Sequence, residues 1–115
     1  MRSPAIFHFR QAHTPKGGIT VVYNFETQAF GFAVCSNKDM YSKGTGVRIA
    51  IGRSRSKEWS VAYVNNTNQD LKQEAIRIAK DQQDYVNEST SLRASMAKFK
   101  IDRNTHEDIL KVELE

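Results

Sequence analysis

The stretch ITVVYNFETQAFGFAVC, residues 19–35, decides the fold of this chain. Its first part, residues 19–25, is rich in β-branched and aromatic residues, and its last part, residues 29–35, is an apolar run that contains Phe30, Phe32 and Val34. Such residues favour strands, and the polar Glu26-Thr27-Gln28 between the two runs is typical of a short turn. The sequence therefore predicts a β-hairpin here.

The residues before this hairpin predict one more strand. Apolar and polar residues alternate in part over residues 5–12, as they do in a half-buried strand. The following run, Thr14-Pro15-Lys16-Gly17-Gly18, has strong turn chemistry and predicts a loop. Three antiparallel strands in succession are the expected arrangement of the first 35 residues.

A short helix is expected after the third strand. Ser36-Asn37-Lys38-Asp39 contains residue types that end strands and cap helices, and residues 40–52 carry Val47, Ala50 and Ile51 at helical spacing. Gly44 and Gly46 weaken this helix by up to about 1 kcal/mol each, so its first turn is either helix or loop. Alternation over residues 59–64 then predicts a fourth strand.

The clearest helical pattern lies in residues 71–85. Apolar or large side chains recur there at spacings of four, three, four and three residues, while the intervening positions carry charges of both signs. The recurring residues are Leu71, Ala75, Ile78, Gln82 and Tyr85. A long amphipathic helix with a solvated outer face is predicted.

The last twenty residues, 96–115, allow two interpretations. Apolar side chains alternate with charges, which favours a C-terminal hairpin, whereas Thr105 and Asp108 have the spacing of a helix-capping pair. We favour the hairpin. Because 115 residues with 39% hydrophobic content close one modest core, residues 1–115 are expected to form a single α+β domain. Its antiparallel sheet has about four strands, with the C-terminal hairpin in addition, and packs with one short and one long helix.

Composition predicts a soluble cytoplasmic protein without cofactors. The single cysteine, Cys35, cannot form an internal disulfide and lies in an apolar run, so a buried thiol in a reducing compartment is expected. Residues 1–8 are too short and too polar for a signal peptide or a membrane span, and no membrane partner is expected. The three histidines lack the paired spacing of metal ligands, so no metal is expected.

No motif in the chain marks an enzyme. Nothing local places Cys35, Ser36 or a histidine as a nucleophile beside its base. The run Lys43-Gly44-Thr45-Gly46 resembles a phosphate cradle, but it lacks the lysine-serine end of a P-loop and the third glycine of a dinucleotide fingerprint. A flexible turn is the preferred interpretation of this run, and a non-enzymatic protein is the preferred class.

Charge supplies the strongest functional signal. Residues 1–57 contain nine Lys or Arg and two acids, whereas residues 58–115 contain eight and eleven, so the two parts carry +7 and −3 of the net +4. We call residues 38–57 the basic segment, because six cations accompany one acid, Asp39. The cations are Lys38, Lys43, Arg48, Arg53, Arg55 and Lys57.

The basic segment predicts an anionic partner. Arginine offers a planar fork for phosphate, and the flanking rings of Tyr41 and Trp59 could stack a base. The six cations and Tyr41 are therefore the candidate binding residues, and nucleic acid, RNA above all, is the preferred partner. An acidic surface on a host protein is the alternative. The exposed edges expected of such a sheet would also allow a homodimer.

Part of the basic segment resembles a known pattern. Residues 32–43, FAVCSNKDMYSK, and 46–53, GVRIAIGR, resemble small bacteriophage-encoded accessory proteins in which Cys-Ser-x-Lys-Asp leads into Lys-x-x-Gly-x-x-Ile-Ala-x-Gly-Arg. Most of that family has no assigned function; the chain is similar in kind to RNA-binding inhibitors of toxin-antitoxin ribonucleases. The resemblance implies a phage protein acting on a host defence system in the host cytoplasm. It assigns RNA contact to the cations of the matched run, Lys38, Lys43, Arg48 and Arg53, and Arg55 and Lys57 lie outside it.

Overall fold

The computed structural model of the chain describes residues 3–10, 15–64, 68–87 and 106–107. Its elements, in chain order, are β1 (Ala5–Phe9), β2 (Lys16–Asn24), β3 (Ala29–Met40), α1 (Lys43–Ser54), β4 (Val61–Ala62), α2 (Asn68–Asn87) and β5 (His106–Glu107). The predicted α+β fold, with an antiparallel sheet, one short helix and one long helix, is confirmed. Neither α1 nor α2 is long and apolar enough to cross a membrane.

The predicted hairpin forms the centre of the sheet. The strand order is β4-β3-β2-β1-β5, and every pair is antiparallel. Val21 of β2 lies opposite Phe7 of β1 and Phe32 of β3, so β2 is paired along both edges. All its residues except the first are buried, as expected for a central strand with a layer on each face.

The two helices pack against different side-chain clusters of the sheet. The larger cluster combines Phe7, Phe9, Ile19, Val21, Tyr23 and Phe30 of the strands with Leu71, Ala75, Ile78 and Val86 of α2. The smaller cluster combines Val22 of β2 and Ala33 of β3 with Ala50 of α1. Because neighbouring residues of a strand point to opposite faces, Val21 and Val22 place α2 and α1 on opposite sides of the sheet.

Small residues bring α1 unusually close to the sheet. Gly46, Ala50 and Ser54 recur every four residues and therefore share one side of the helix. A Cβ atom added to Gly31 of β3 would collide with the Ala50 carbonyl oxygen and the Ser54 backbone nitrogen, and one added to Gly46 would collide with Thr20 Oγ1. The helix therefore packs through backbone contact rather than through large apolar side chains.

Polar contacts fix the last turn of α1 to the β2–β3 hairpin. Asn24 Nδ2 donates to Ser54 Oγ at 3.2 Å, and Thr27 Oγ1 donates to the Ser54 carbonyl oxygen at 3.2 Å. The Asn24 side chain also accepts from the backbone N–H of Glu26 at 2.9 Å, which stabilises the turn. The turn and the C-terminal end of the helix thus hold each other in place.

The β2–β3 pair extends further than predicted at the end away from its turn. β2 begins at Lys16, so Lys16-Gly17-Gly18 belongs to a strand and not to the predicted loop. Gly17 has a φ of 76° and lies where the pairing register shifts. β3 continues past Cys35 to Met40, where Met40 pairs with Lys16. The expectation that Ser36-Asn37-Lys38-Asp39 ends the strand was wrong. These four residues form an irregular stretch of β3, and pairing with β2 resumes after them, between Met40 and Lys16.

Other boundaries also differ from the predictions. β1 ends at Phe9, and predicted strand residues 11 and 12 lie outside the described residues. α1 begins at Lys43 rather than at residue 40, because the Ser42 side chain caps it by accepting from Thr45 N. β4 is reduced to Val61–Ala62, which pair only with the beginning of β3. Most of the C-terminal hairpin predicted for residues 96–115 lies outside the described residues; β5 pairs with β1.

One residue of the predicted apolar stripe of α2 is exposed. Tyr85 is 53% exposed, whereas its neighbour Val86 is fully buried. The buried side of the helix also includes Ala79. The centre of this buried side is therefore rotated from the predicted stripe toward Val86, and Tyr85 lies at the margin of the buried side.

Replacing Gly31 with alanine should destabilise the fold. The added methyl group would have to push α1 away from β3, and such overpacking costs about 1–3 kcal/mol in the free energy of unfolding. Gly52→Ala is the matched control, because nothing lies within 4 Å of a Cβ atom there and alanine favours the helix. Chemical denaturation should show a loss for Gly31→Ala and a small gain for Gly52→Ala. Equal effects would contradict this packing.

Candidate functional site

The side of α1 that points away from the sheet is polar and open. We call its exposed residues the outer face of α1; they are Gly44, Thr45, Arg48, Ile49 and Gly52. Lys43, at the first residue of the helix, is exposed as well, but by its spacing it shares the side of Ala50 and Ser54. Gly44 and Gly52 lie one turn on either side of Arg48, and a Cβ atom at either glycine would meet nothing within 4 Å. Packing within the described part of the chain therefore does not require these two glycines. Because glycine has no side chain, the helix backbone on either side of Arg48 is left uncovered.

Most cations of the basic segment are exposed, either on α1 or in the residues that precede and follow it. Lys38 lies in the irregular stretch of β3, Arg55 is the C-cap of α1, and Lys57 follows in a turn. With Arg48, these three side chains are exposed and form no ion pair with any described residue. The structure thus places four of the candidate binding residues where an external anion can reach them.

The charges of α2 are arranged differently. Arg77 forms ion pairs with Glu74 and, at 3.0 Å, with Asp81 on the same helix. In α1 the first turn contains no acidic residue, so no carboxylate of the helix itself offsets the positive end of its dipole. The electropositive surface on the α1 side is therefore not an average property of the chain.

Arg53 differs from the other cations because it is tied to the protein. Its side chain is half-buried, and Nη1 donates to the carbonyl oxygen of Phe32 at 3.0 Å. Its Cζ atom lies 5.1 Å from the centre of the Trp59 ring, a cation–π distance. Arg53 thus connects α1, β3 and the turn before β4, and the prediction that it contacts an anion stays a prediction.

Two aromatic rings, that of Tyr41 within the basic segment and that of Trp59 just beyond it, have different surroundings. Trp59 is 52% exposed and rests against Arg53, so a flat ring surface faces solvent near Arg55 and Lys57. Tyr41 is half-buried and anchored: its hydroxyl is within hydrogen-bond distance of His8 Nδ1 at 2.7 Å and of Thr20 Oγ1. Of the two rings, Trp59 is the better placed to stack on a base.

A pocket of about 310 Å³ opens at the N-terminal end of α1. Its walls come from β2, β3 and the first two turns of the helix. Polar lining residues are Thr20, Cys35, Ser36, Asp39, Tyr41, Ser42 and Thr45, and the others are Ala33, Val34, Met40, Gly46 and Ile49. Sequence reasoning missed this pocket, because its lining residues come from segments separated along the chain.

Cys35 lies in the wall of this pocket, so the prediction of a thiol buried in the core was wrong. Its side chain is half-buried, and its Sγ donates to the carbonyl oxygen of Asp39 at 3.4 Å. Burial raises the pKa of the Cys35 thiol above its ordinary value; a hydrogen bond with the Gly17 backbone lowers this pKa, and the Asp39 carboxylate raises it. The thiol is therefore protonated at neutral pH, which makes it a slow nucleophile.

Comparisons of the chain with models of known protein families, with curated proteins and with solved structures found no match. Within the described residues, no group of three or more His, Cys, Asp or Glu is placed to hold a metal ion. What the site can do must therefore be inferred from its charge, exposure and shape.

Removing the Arg53 side chain should cost stability, although it lies on the same helix as Arg48. Arg53→Ala loses a charge-assisted hydrogen bond and a ring contact, together worth about 2 kcal/mol, whereas Arg48→Ala should change the free energy of unfolding by less than about 0.5 kcal/mol. Denaturation followed by Trp59 fluorescence measures both variants. Equal stability of the two variants would show that the Phe32 contact contributes nothing.

Proposed function

We propose that the protein binds nucleic acid, with RNA preferred, through the outer face of α1 and the cations beside it. The observation that carries the proposal is the exposure of Lys38, Arg48, Arg55 and Lys57 without an ion pair to any described residue. A surface kept charged for solubility interleaves both signs, as α2 does, whereas these cations share their segment with a single acid.

The dimensions of α1 suit a phosphate backbone. The helix has 12 residues and is therefore about 18 Å long, with Lys43 at its first turn and Arg55 at its last. Gly44 and Gly52 leave room for a strand to approach the helix backbone on either side of Arg48. A chain of phosphates lying along this face would meet Arg48 near the middle and Arg55 at the C-terminal end.

The exposed ring of Trp59 favours a single strand over a duplex. A base can stack on an aromatic side chain only where it is not paired and stacked within a helix, and sequence-tolerant binding of single strands commonly combines such rings with a basic groove. Trp59 lies at the Arg55 and Lys57 end of the basic segment, and Arg53 supports one side of the ring.

The biological role that we propose is regulation without catalysis. The resemblance of residues 32–53 to small phage accessory proteins supports a phage-encoded factor that acts in the host cytoplasm and inhibits a defence system such as a toxin-antitoxin ribonuclease. A small protein with an electropositive surface can do this by occupying the RNA on which such a system depends.

Docking of the same face on an acidic host protein is the second candidate. Ile49, 42% exposed on α1, and Met40, 64% exposed at the end of β3, give this surface an apolar component. Apolar side chains among charges are typical of protein interfaces.

Salt dependence tests the proposal directly. If four or five cations each neutralise a phosphate of single-stranded RNA, the log–log slope of affinity against salt should be about −3, and Arg48→Gln with Arg55→Gln should make it shallower by about 1.4. Lys72→Gln with Lys80→Gln removes two exposed cations from α2 and should leave the slope nearly unchanged. Fluorescence anisotropy with a labelled oligonucleotide measures all three proteins. An equal change in both double variants would contradict a site on α1, and the absence of binding at low salt would favour the acidic host protein.

A further inference from the structure

The pocket at the N-terminal end of α1 is adjacent to the proposed strand-binding surface. Thr45 and Ile49 belong both to the pocket wall and to the outer face of α1. Its volume of about 310 Å³ lies at the lower end of the range of about 300–1,000 Å³ that is typical of sites for small organic ligands. If a strand is bound along α1, a chemical group attached to it could therefore enter the pocket while the strand stays bound.

Asp39 gives the pocket a distinctive chemistry. It is the one acid of the basic segment, its side chain is exposed, and it lines the pocket without an ion pair to any described residue. A carboxylate beside Lys38 weakens the attraction of phosphate, so phosphate binding alone gives no reason for it. An ionised carboxylate only accepts hydrogen bonds, and it therefore selects a ligand that donates them.

The neighbouring hydroxyl groups are already hydrogen-bonded. Thr20 Oγ1 lies within hydrogen-bond distance of His8 Nδ1 and of the Tyr41 hydroxyl. Ser42 Oγ accepts from the Thr45 backbone N–H at 3.3 Å and donates to Thr45 Oγ1 at 3.1 Å. The Asp39 carboxylate is thus the strongest acceptor that the pocket offers, and apolar surface from Ala33, Met40 and Ile49 surrounds the remaining space.

We infer that this pocket takes a nucleobase of the bound strand, and that Asp39 accepts a hydrogen bond from an amino group of that base. The inference rests on the proposed nucleic-acid binding. Cytosine, adenine and guanine carry an exocyclic amino group, whereas uracil does not; a carboxylate that accepts from cytosine N4 is a known recognition pair. The apolar wall packs against the ring, and the cations of the basic segment hold the adjoining phosphates.

Two ligands of equal charge and nearly equal size test this inference. Oligocytidine and oligouridine have the same backbone and differ in the base edge that Asp39 would read. The protein should bind oligocytidine at least about fivefold more tightly, which is the lower end of the discrimination that one good base contact supplies. Equal affinities for the two oligonucleotides would overturn the inference while leaving the proposed function intact.

Asp39→Asn separates base recognition from phosphate attraction, because the two effects have opposite signs. The loss of one negative charge should tighten binding of oligouridine, whereas the preference for oligocytidine should fall toward unity. Asp84→Asn is the matched control, since Asp84 is an exposed acid on α2, and it should retain the preference. If the Asp39→Asn protein kept its full preference for oligocytidine over oligouridine, Asp39 would not be the acceptor.

The single cysteine of the chain reports directly on occupancy of the pocket. Cys35 lies in the pocket wall, so oligocytidine should slow its alkylation by a maleimide severalfold at low salt. A strand of equal length built from abasic units, which carries the phosphates without bases, should not slow it. If both strands bind and neither protects Cys35, the base does not enter the pocket, whereas the outer face of α1 remains the proposed site for the strand. If neither oligonucleotide binds at any salt concentration, the proposed function fails and this inference fails with it.

Discussion

The backbone contact between α1 and the sheet at Gly31 is the constraint on which the arrangement of this protein depends. Glycine is the residue that this position accepts without displacing the helix, because a Cβ atom there would collide with the Ala50 carbonyl oxygen. The stripe of Gly46, Ala50 and Ser54 is thereby turned inward, and the positions on the other side of the helix are turned outward. The orientation of Arg48 toward solvent is a consequence of this packing.

The composition of α1 is poorly suited to stabilising a fold by itself. Of its 12 residues, only Ala50 and Ser54 are buried, and neither buries much apolar area. Gly44 and Gly52 are exposed helix positions at which alanine would be more stable by about 1 kcal/mol each. Residues that cost stability and contact nothing in the described protein are expected where a partner needs close access to the backbone. The glycines that weaken the helix are thus the same ones that leave room for the strand that we propose to bind there.

Local sequence predicted the hairpin because strand propensity and turn chemistry agree over residues 19–35. It did not predict the continuation of β3 to Met40, because Ser36 to Asp39 have the local character of a cap, and only pairing between Lys16 and Met40 makes them part of a strand. Gly44 and Gly46 look alike in sequence, yet one faces solvent and the other lies against Thr20. Their difference depends on tertiary packing.

The same distinction applies to the proposed binding site. Charge composition singled out the basic segment, and four of its cations lie exposed without ion pairs to described residues. Nothing near Arg53 in the sequence indicates that it reaches the Phe32 carbonyl oxygen and supports Trp59. The pocket is equally invisible locally, because β2, β3 and α1 must come together to form it. Patterns of charge are local properties, whereas shape and hydrogen-bond partners follow from the fold.

We propose above that a single nucleic-acid strand lies along the outer face of α1. Titration of the ¹⁵N-labelled protein with unlabelled oligocytidine, followed by amide NMR spectra, tests this most directly. We expect shifts in the amide signals of residues 43–55 and in the indole N–H of Trp59, while signals from the exposed side of α2, such as Lys72 and Lys80, stay in place. Shifts concentrated on α2, or an unchanged Trp59 signal with α1 unaffected, would contradict the account.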